Sequence, residues 1–266
     1  MTVRSRRPRA VSALAAAGGT VAVALLVGAC GADAGSDTDP EHKAFALPGK
    51  TLTVDSSDSE LELVPARGDT KDVRVTRWFD GSTVLGGDPK VTWEMKGDRL
   101  TLGMKCSGVI ANCSARHRVE VPRGVALTVE NKDGRVTASG FRDTLKVRTK
   151  DGSVTVENAA GPLDLYSSDG SVTASGVTSR KVAVDSKDGA VKLELTAVPD
   201  RVEARSKDGS VDIAVPDKKD GTSVLYDVRT DTRNGSVDVA VPRADNSPHH
   251  VSVRSDDGKV TVRSAN

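Results

Sequence analysis

The chain has 266 residues, with 28% charged, 37% hydrophobic and only 3% aromatic side chains. Lys and Arg number 38 against 37 Asp and Glu, a balance without the strong basic excess that phosphate backbones demand. This excludes a nucleic-acid binder and leaves enough chain for one long domain after an N-terminal leader.

That leader is read first. Arg4, Arg6, Arg7 and Arg9 form a basic start, Ala10–Val27 is small and apolar, and Gly28-Ala29-Cys30 follows. A basic start, an apolar stretch and small residues at the cut describe a secretory signal. The Cys directly after the small pair resembles a lipoprotein box, which implies cleavage after Ala29, lipid on Cys30 and an extracytoplasmic protein anchored to the cell membrane. Removing residues 1–29 takes away four Arg and leaves 34 basic against 37 acidic residues, a net charge of −3. Residues 30–46 are rich in Gly, Ala, Asp, Ser, Thr and Pro and are expected to be a tether, because they can bury too little to order themselves.

The remainder, 47–266, is predicted to be a single all-β repeat domain. Its first part, 47–125, is strand-rich but irregular. Leu52–Leu63 looks like a diverged repeat, and Val73–Trp78, Val91–Met95, Leu100–Met104 and Val119–Val121 alternate. With Trp78, Phe79 and Trp93 clustered here, the region is expected to form a cap and first coils. Cys106 and Cys113 remain once Cys30 is lipidated. In an oxidising exported setting they are expected to pair as a disulfide, since a metal site would lack two more ligands.

From 126 to 266 one turn recurs seven times: Asp133-Gly134, Asp151-Gly152, Asp169-Gly170, Asp188-Gly189, Asp208-Gly209, Asn234-Gly235 and Asp257-Gly258. The glycines lie 18, 18, 19, 20, 26 and 23 residues apart, the signature of a repeat architecture. Apolar pairs flank each turn at fixed offsets, for example Leu145/Val147 before Gly152 and Val154/Val156 after it. This period-2 alternation predicts two strands per rung, each with one buried face. Three residues before each glycine stands a small polar group: Asn131, Thr149, Ser167, Ser186, Ser206, Thr232 or Ser255. That recurrence favours a β-solenoid of stacked two-strand rungs, period about 18–20, over a hairpin meander, because stacked copies can satisfy one another and the turn amides. The glycine is expected for its tolerance of positive φ. The Lys or Arg at 132, 150, 187, 207 and 233 predicts a charge-compensated ribbon beside the Asp row. The sixth rung departs, with Thr230 in an apolar place.

The run Arg118-Val-Glu-Val-Pro-Arg-Gly-Val-Ala-Leu-Thr-Val-Glu-Asn-Lys-Asp-Gly-Arg-Val, followed by Ser-Lys-Asp-Gly-Ser-Val and its variants, resembles the bacterial putative-adhesin family of β-strand repeat proteins, a domain of unknown function. The resemblance covers roughly 50–264. It implies a solenoid-like fold on the cell surface and carries no catalytic residue across. Some relatives act in envelope-stress signalling, so it also implies an alternative role through a membrane partner.

No Gly-x-Ser-x-Gly, His-Glu-x-x-His or phosphate-binding Gly loop occurs, and a carboxylate pair for glycoside hydrolysis would need aromatic sugar platforms that uniform rungs do not supply. No catalytic, cofactor-binding or metal-binding residue is therefore assigned, and no cofactor is expected. Arg67-Gly68-Asp69 spells an integrin-type triplet by chance, and His249-His250 falls short of a metal site. The expected function is a non-enzymatic, membrane-tethered surface protein with an adhesive, structural or ligand-presenting role, its ligand a protein or an envelope polymer. The long connections Pro216–Leu225 and Pro242–His250 should lie side by side and offer a contact surface. The last strand, Lys259–Ser264, is expected at the open end of the stack, where it is blunted by Lys259 and Arg263, covered by an internal segment, or paired with another chain.

Overall fold

The computed structural model describes residues 33–265. Cys30, the expected lipid site, and the leader before it lie outside the described residues. A single 3-10 turn, η1 (Ala34–Ser36), precedes the strands. In chain order these begin with β1 (Glu41–Ala46), β2 (Thr51–Asp58), β3 (Glu60–Pro65), β4 (Asp72–Gly86), β5 (Lys90–Lys96), β6 (Arg99–Lys105) and β7 (Gly108–Val121). The regular rungs follow as β8 (Ala126–Asp133) with β9 (Val136–Ser139), β10 (Leu145–Thr149) with β11 (Val154–Glu157), and β12 (Leu163–Ser167) with β13 (Val172–Val177). Then come β14 (Lys181–Ser186) with β15 (Val191–Leu195), and β16 (Arg201–Ser206) with β17 (Val211–Val215). A short hairpin, β18 (Lys218–Lys219) and β19 (Thr222–Ser223), leads to β20 (Asp227–Thr232) with β21 (Val237–Ala240). The chain ends in β22 (His250–Ser255) with β23 (Val260–Ser264).

The first strand of each rung joins a ten-stranded sheet and the second an eleven-stranded one. Rung stacks on rung in parallel and in register, so Leu145 sits between Leu127 and Leu163, and Val154 between Val136 and Val172. One apolar core runs the length of the stack between the two sheets, with Leu127, Val129, Leu145, Val147, Val154 and Val156 at most 1% exposed. Each such side chain contributes roughly 1.5–3 kcal/mol by leaving water. The interior is thin, and Val, Leu and Ala fill it without the large rings that would separate the sheets.

The glycine turns have a different cause from the one the sequence suggests. Of the seven turn glycines only Gly134 has positive φ, at 107°. The others are needed because the rungs touch at the turn. A Cβ on Gly170 would lie 2.1 Å from the Gly152 carbonyl oxygen, and one on Gly189 would lie 2.2 Å from that of Gly170. Stacking, rather than local backbone strain, thus selects glycine.

The small polar position also acts between rungs. Ser186 Oγ donates to Gly170 O (3.1 Å) and accepts from Gly189 N–H (3.1 Å). Ser167, Ser206 and Ser255 donate to the preceding rung's glycine carbonyl in the same way, at 2.9, 3.0 and 2.9 Å. The hydroxyls therefore bond turn backbone above and within their own rung, not one another. This repeated bond staples neighbouring turns together inside an otherwise apolar edge.

The order of rungs in space departs from their order in the chain at both ends. The ten-stranded sheet ends β16, β22, β20, and the eleven-stranded sheet ends β17, β23, β21. The last strand, expected at the open end, is therefore internal: β23 pairs with β17 on one side and β21 on the other. The rung that closes the stack is β20 with β21, whose Val237 is 44% exposed. At the other end β2 and β3 insert between the β8–β9 rung and strands β6 and β7. Beyond those, antiparallel β5 and β4 with β1 finish the sheets, and Phe45 and Trp93 meet edge to face at 6.5 Å across that end. The tether is correspondingly shorter than expected. Residues 41–46 form β1, and η1 is held on the stack by Asp37, whose carboxylate accepts the Phe79 N–H (3.0 Å). That bond lowers the Asp37 pKa.

Cys106 and Cys113 are bonded, with Cα atoms 6.2 Å apart, and brace the β6–β7 connection at the end of a long antiparallel β4–β7 ribbon.

Candidate functional site

Outward-facing side chains of the ten-stranded sheet line up in rows because the rungs are in register. One row runs Asp55, Glu130, Arg148, Tyr166 across β2, β8, β10 and β12. Beside it the turn residues Lys132, Lys150, Ser168 and Lys187 form a second row. Between the two rows lies an open groove of about 620 Å³ that runs along the stacking axis. Its floor includes Asn131 and Thr149 of the small polar position. Asn131 donates both to Asp133 O (3.1 Å) and Gly134 O (2.9 Å), while its Oδ1 and the Thr149 hydroxyl have no partner among the described residues. Both atoms are buried on the inner side of the sheet, so the groove's own polar groups are those of its charged rim.

The charges are graded along its length. Arg99 reaches Glu130 (2.6 Å) and Asp55 (3.2 Å), neutralising the acidic end near β6. Arg148 stands above the Tyr166 ring at 5.9 Å and reaches Asp164 at 3.4 Å. Lys150 pairs with Asp151 (2.9 Å) and Lys132 with Asp133 (3.5 Å), whereas Ser168 breaks the basic row and Lys187 has no carboxylate partner among the described residues. The aromatic face, the guanidinium and the Lys187 amine therefore cluster at one end.

The Asp row behind the lysines is the expected ribbon. The carboxylates lie close enough to bond one another. Bonds from Lys150, Asp169 and Asp133 hold Asp151 down to about 2, while Asp133 and Asp169 are pushed up, chiefly by Asp151. Among the described residues, no three His, Cys, Asp or Glu side chains come together in a way that would hold a metal ion.

The two long connections do meet. Tyr226, fully buried, donates to Pro216 O (2.6 Å), and its amide donates to Pro242 O (3.0 Å). Ser247 Oγ donates to Leu225 O (2.6 Å), locking one loop on the other. They enclose a notch of about 550 Å³ that Leu225, 48% exposed, shares with Val224, Ala244 and Pro248. His249 and His250 point apart in role: His249 Nδ1 lies 2.8 Å from Pro199 O, and His250 Nδ1 lies 3.1 Å from Asp227 Oδ2. The His250 bond is the main cause of the lowered Asp227 pKa. Arg67-Gly68-Asp69 occupies an exposed turn after β3 with Gly68 at φ 71°. Tyr166 is one of the chain's two tyrosines and sits in no motif of its own. The signal for the groove was the outward position four residues before each turn glycine, where Glu130, Arg148 and Tyr166 follow one another.

Among the described residues no helix is long and apolar enough to cross a membrane. No curated protein matches the chain. Its fold is similar to that of a putative cell adhesion protein from Clostridium sporogenes, at 11% identity and TM-score 0.34, covering 85% of this chain and 100% of that one. A putative adhesin from Bacteroides fragilis matches at 10% identity and TM-score 0.38, covering 85% and 98%. Another, from Parabacteroides merdae, matches at 11% identity and TM-score 0.36, covering 85% and 96%. The family Toastrack DUF4097 matches residues 50–263, nearly the whole repeat stack, and the chain belongs to that family.

Proposed function

We propose that this chain is a non-enzymatic, lipid-anchored envelope protein that holds an extended polymer in the groove of its ten-stranded sheet. One observation carries the reading: the groove is open, about 620 Å³, and lies parallel to the stacking axis, so successive rungs line up their outward side chains at the strand spacing of about 4.8 Å. A linear ligand with a repeating chemical group can then touch several rungs at once, and weak contacts add through multivalency. Arg148, Lys150 and Lys187 favour acidic groups on that ligand, and Tyr166 supplies an apolar face. Cys30 supplies the anchor. No residue is assigned to bond-making or bond-breaking.

The test is binding of the full chain to purified anionic wall polymer. Replacing Arg148→Glu with Lys187→Glu should weaken binding at least about tenfold and flatten its salt dependence. Equal binding by the double variant would refute the groove, and turnover of the polymer would refute the non-enzymatic reading. The loop notch supports a second reading, a signalling lipoprotein acting through a membrane partner, because Leu225 offers an apolar anchor between two interlocked loops. Leu225→Ser should then abolish capture by that partner and leave polymer binding intact.

A further inference from the structure

The antiparallel β4–β7 pair runs past the stack as a two-stranded ribbon. As far as Arg77 on β4 and Arg116 on β7 the two strands have further partners in β1 and β3; beyond them each pairs only with the other. At its far end the ribbon displays four large apolar side chains: Val84 is 53% exposed, Leu85 83%, Val109 75% and Ile110 64%. They are neighbours, since Val84 pairs with Ile110 and Gly86 with Gly108. Leu85 also has φ 50°, a left-handed conformation that a bulky residue adopts at a cost and that Gly or Asn would take easily. A protein that only needed the turn would not place its most exposed leucine there. The Cys106–Cys113 bond braces this arm close to the tip.

The first described residues identify what covers the tip. The Asp33 amide donates to Asp80 Oδ2 at 3.1 Å, on the arm itself, and Asp37 fastens the same segment to Phe79. Cys30 is three residues before Asp33, so it stays within about 11 Å of that point whatever its path. Asp80 is five residues before Leu85, about 17 Å along a strand. A lipid on Cys30 would therefore hold this arm, and not the far end of the stack, against the bilayer. Lys90 and Lys105, paired across the adjacent hairpin at the same end and exposed, suit anionic headgroups.

We propose that the apolar tip formed by Val84, Leu85, Val109 and Ile110 inserts into the interface of the membrane that carries the lipid anchor. This rests on the lipid-anchor reading. The tip is a second, protein-made contact that fixes how the stack stands on the bilayer.

The test uses the full chain with Leu85→Trp, reconstituted on vesicles of phosphatidylethanolamine and phosphatidylglycerol with brominated acyl chains, against Val237→Trp at the opposite end. The parent chain corrects for Trp78 and Trp93. The Leu85→Trp emission should be quenched at least about twofold more than that of Val237→Trp, as expected for a ring at the acyl boundary. Equal quenching overturns the proposal. An emission shift that depends on protein concentration without vesicles assigns the tip to a second copy of the chain and also overturns it. The mass of the N-terminal peptide reports acylation of Cys30 independently, so a failed anchor and a failed tip are distinguishable. Leu85→Asn relieves the left-handed strain and should fold at least as well as the parent, and adding it to Val109→Trp should lower the quenching of that ring. Unchanged quenching would count against insertion.

Discussion

The rung that ends the chain and the rung that ends the stack are built on one plan and have opposite fates. β22 and β23 bring Val251, Val253, Val260 and Val262 inside, each at most 1% exposed. β20 and β21 bring Val228, Thr230, Val237 and Val239, and this rung remains half open to water. The chain steps outward through the 216–226 connection, lays down the poorer rung, then returns through 241–249 to fill the gap with the better one. Four fully buried valines stabilise the interior more than a set with one threonine, and the outermost place tolerates polarity. Rung order in space thus follows apolar quality, and the two long connections exist to permit the swap as well as to form a surface.

The largest expected effect contrasts the two rungs directly. Val262→Asp buries a carboxylate between β17 and β21 with no partner, and should cost about 4–5 kcal/mol or prevent folding of this end. Val237→Asp, on the outer rung, should cost about 1 kcal/mol or less because water reaches the new group. Urea unfolding of both variants separates the outcomes. Equal losses would mean that the terminal rung is as buried as the internal one. The contrast also removes a simple route to head-to-tail assembly through the C-terminal strand, since β23 already has neighbours on both edges.

Next in size is the turn contact. Gly258→Ala would put a Cβ 2.2 Å from the Gly209 carbonyl oxygen, and backbone must move to admit it. A loss of about 3–4 kcal/mol is expected, near the top of what overpacking does. Gly87, in the irregular N-terminal part, has open space around it, and Gly87→Ala should stay within about 0.5 kcal/mol. Thermal melting of the pair tests whether glycine is selected by stacking.

The other swapped end carries a pH-sensitive contact. His117 on β7 is 1% exposed, with Nδ1 3.1 Å from Ser59 Oγ and no partner for Nε2. Burial, and then the charge of Arg77, push its pKa from 6.5 down to about 4. Above pH 6.5 the ring is neutral in both folded and unfolded chains and its stabilisation is complete. Below that the unfolded chain takes up a proton that the folded one refuses. Stability should therefore fall between pH 6.5 and about 4, by about 3 kcal/mol in all. His117→Gln, which keeps a bond to Ser59, should flatten that stretch of a stability–pH curve. A curve of unchanged slope would place the titration elsewhere.

Much of this was legible in the residues. Alternation around each Asp-Gly turn gives the strands and their buried faces, and the recurring Ser or Thr gives parallel stacking in register. The order of rungs was not legible, because near-identical rungs carry no pattern that says which neighbours which. Yet Thr230 was a usable signal: a polar residue in an apolar place belongs where water can reach it. The cause of the glycines was hidden for a related reason. Positive φ is a property of one residue, whereas the clash that excludes Ala involves the rung above. The groove escaped notice because its members are 18 residues apart in sequence and become neighbours only through stacking, as Glu130, Arg148 and Tyr166 show.

The smallest effect concerns the staple that recurs at five of the seven turns. Ser255 is wholly buried and its Oγ donates to Gly209 O at 2.9 Å, whereas Thr232, half-buried on the outer rung, donates its Oγ1 proton to Gly258 O at 3.3 Å. Ser255→Ala removes the donor and leaves a buried carbonyl unsatisfied, which should cost about 1–2 kcal/mol. Thr232→Ala exposes its carbonyl to solvent, which can replace the bond, so about 0.5 kcal/mol or less is expected. Amide exchange adds position to the measurement. If the staple holds neighbouring turns together, Ser255→Ala should speed exchange at the Asp256 and Asp257 amides, which donate to Ser206 O and Lys207 O of the rung above. Exchange that quickens uniformly along the whole stack would instead mean that the bond acts on global stability alone, and that the turns are held by their backbone ladder without help from the serine.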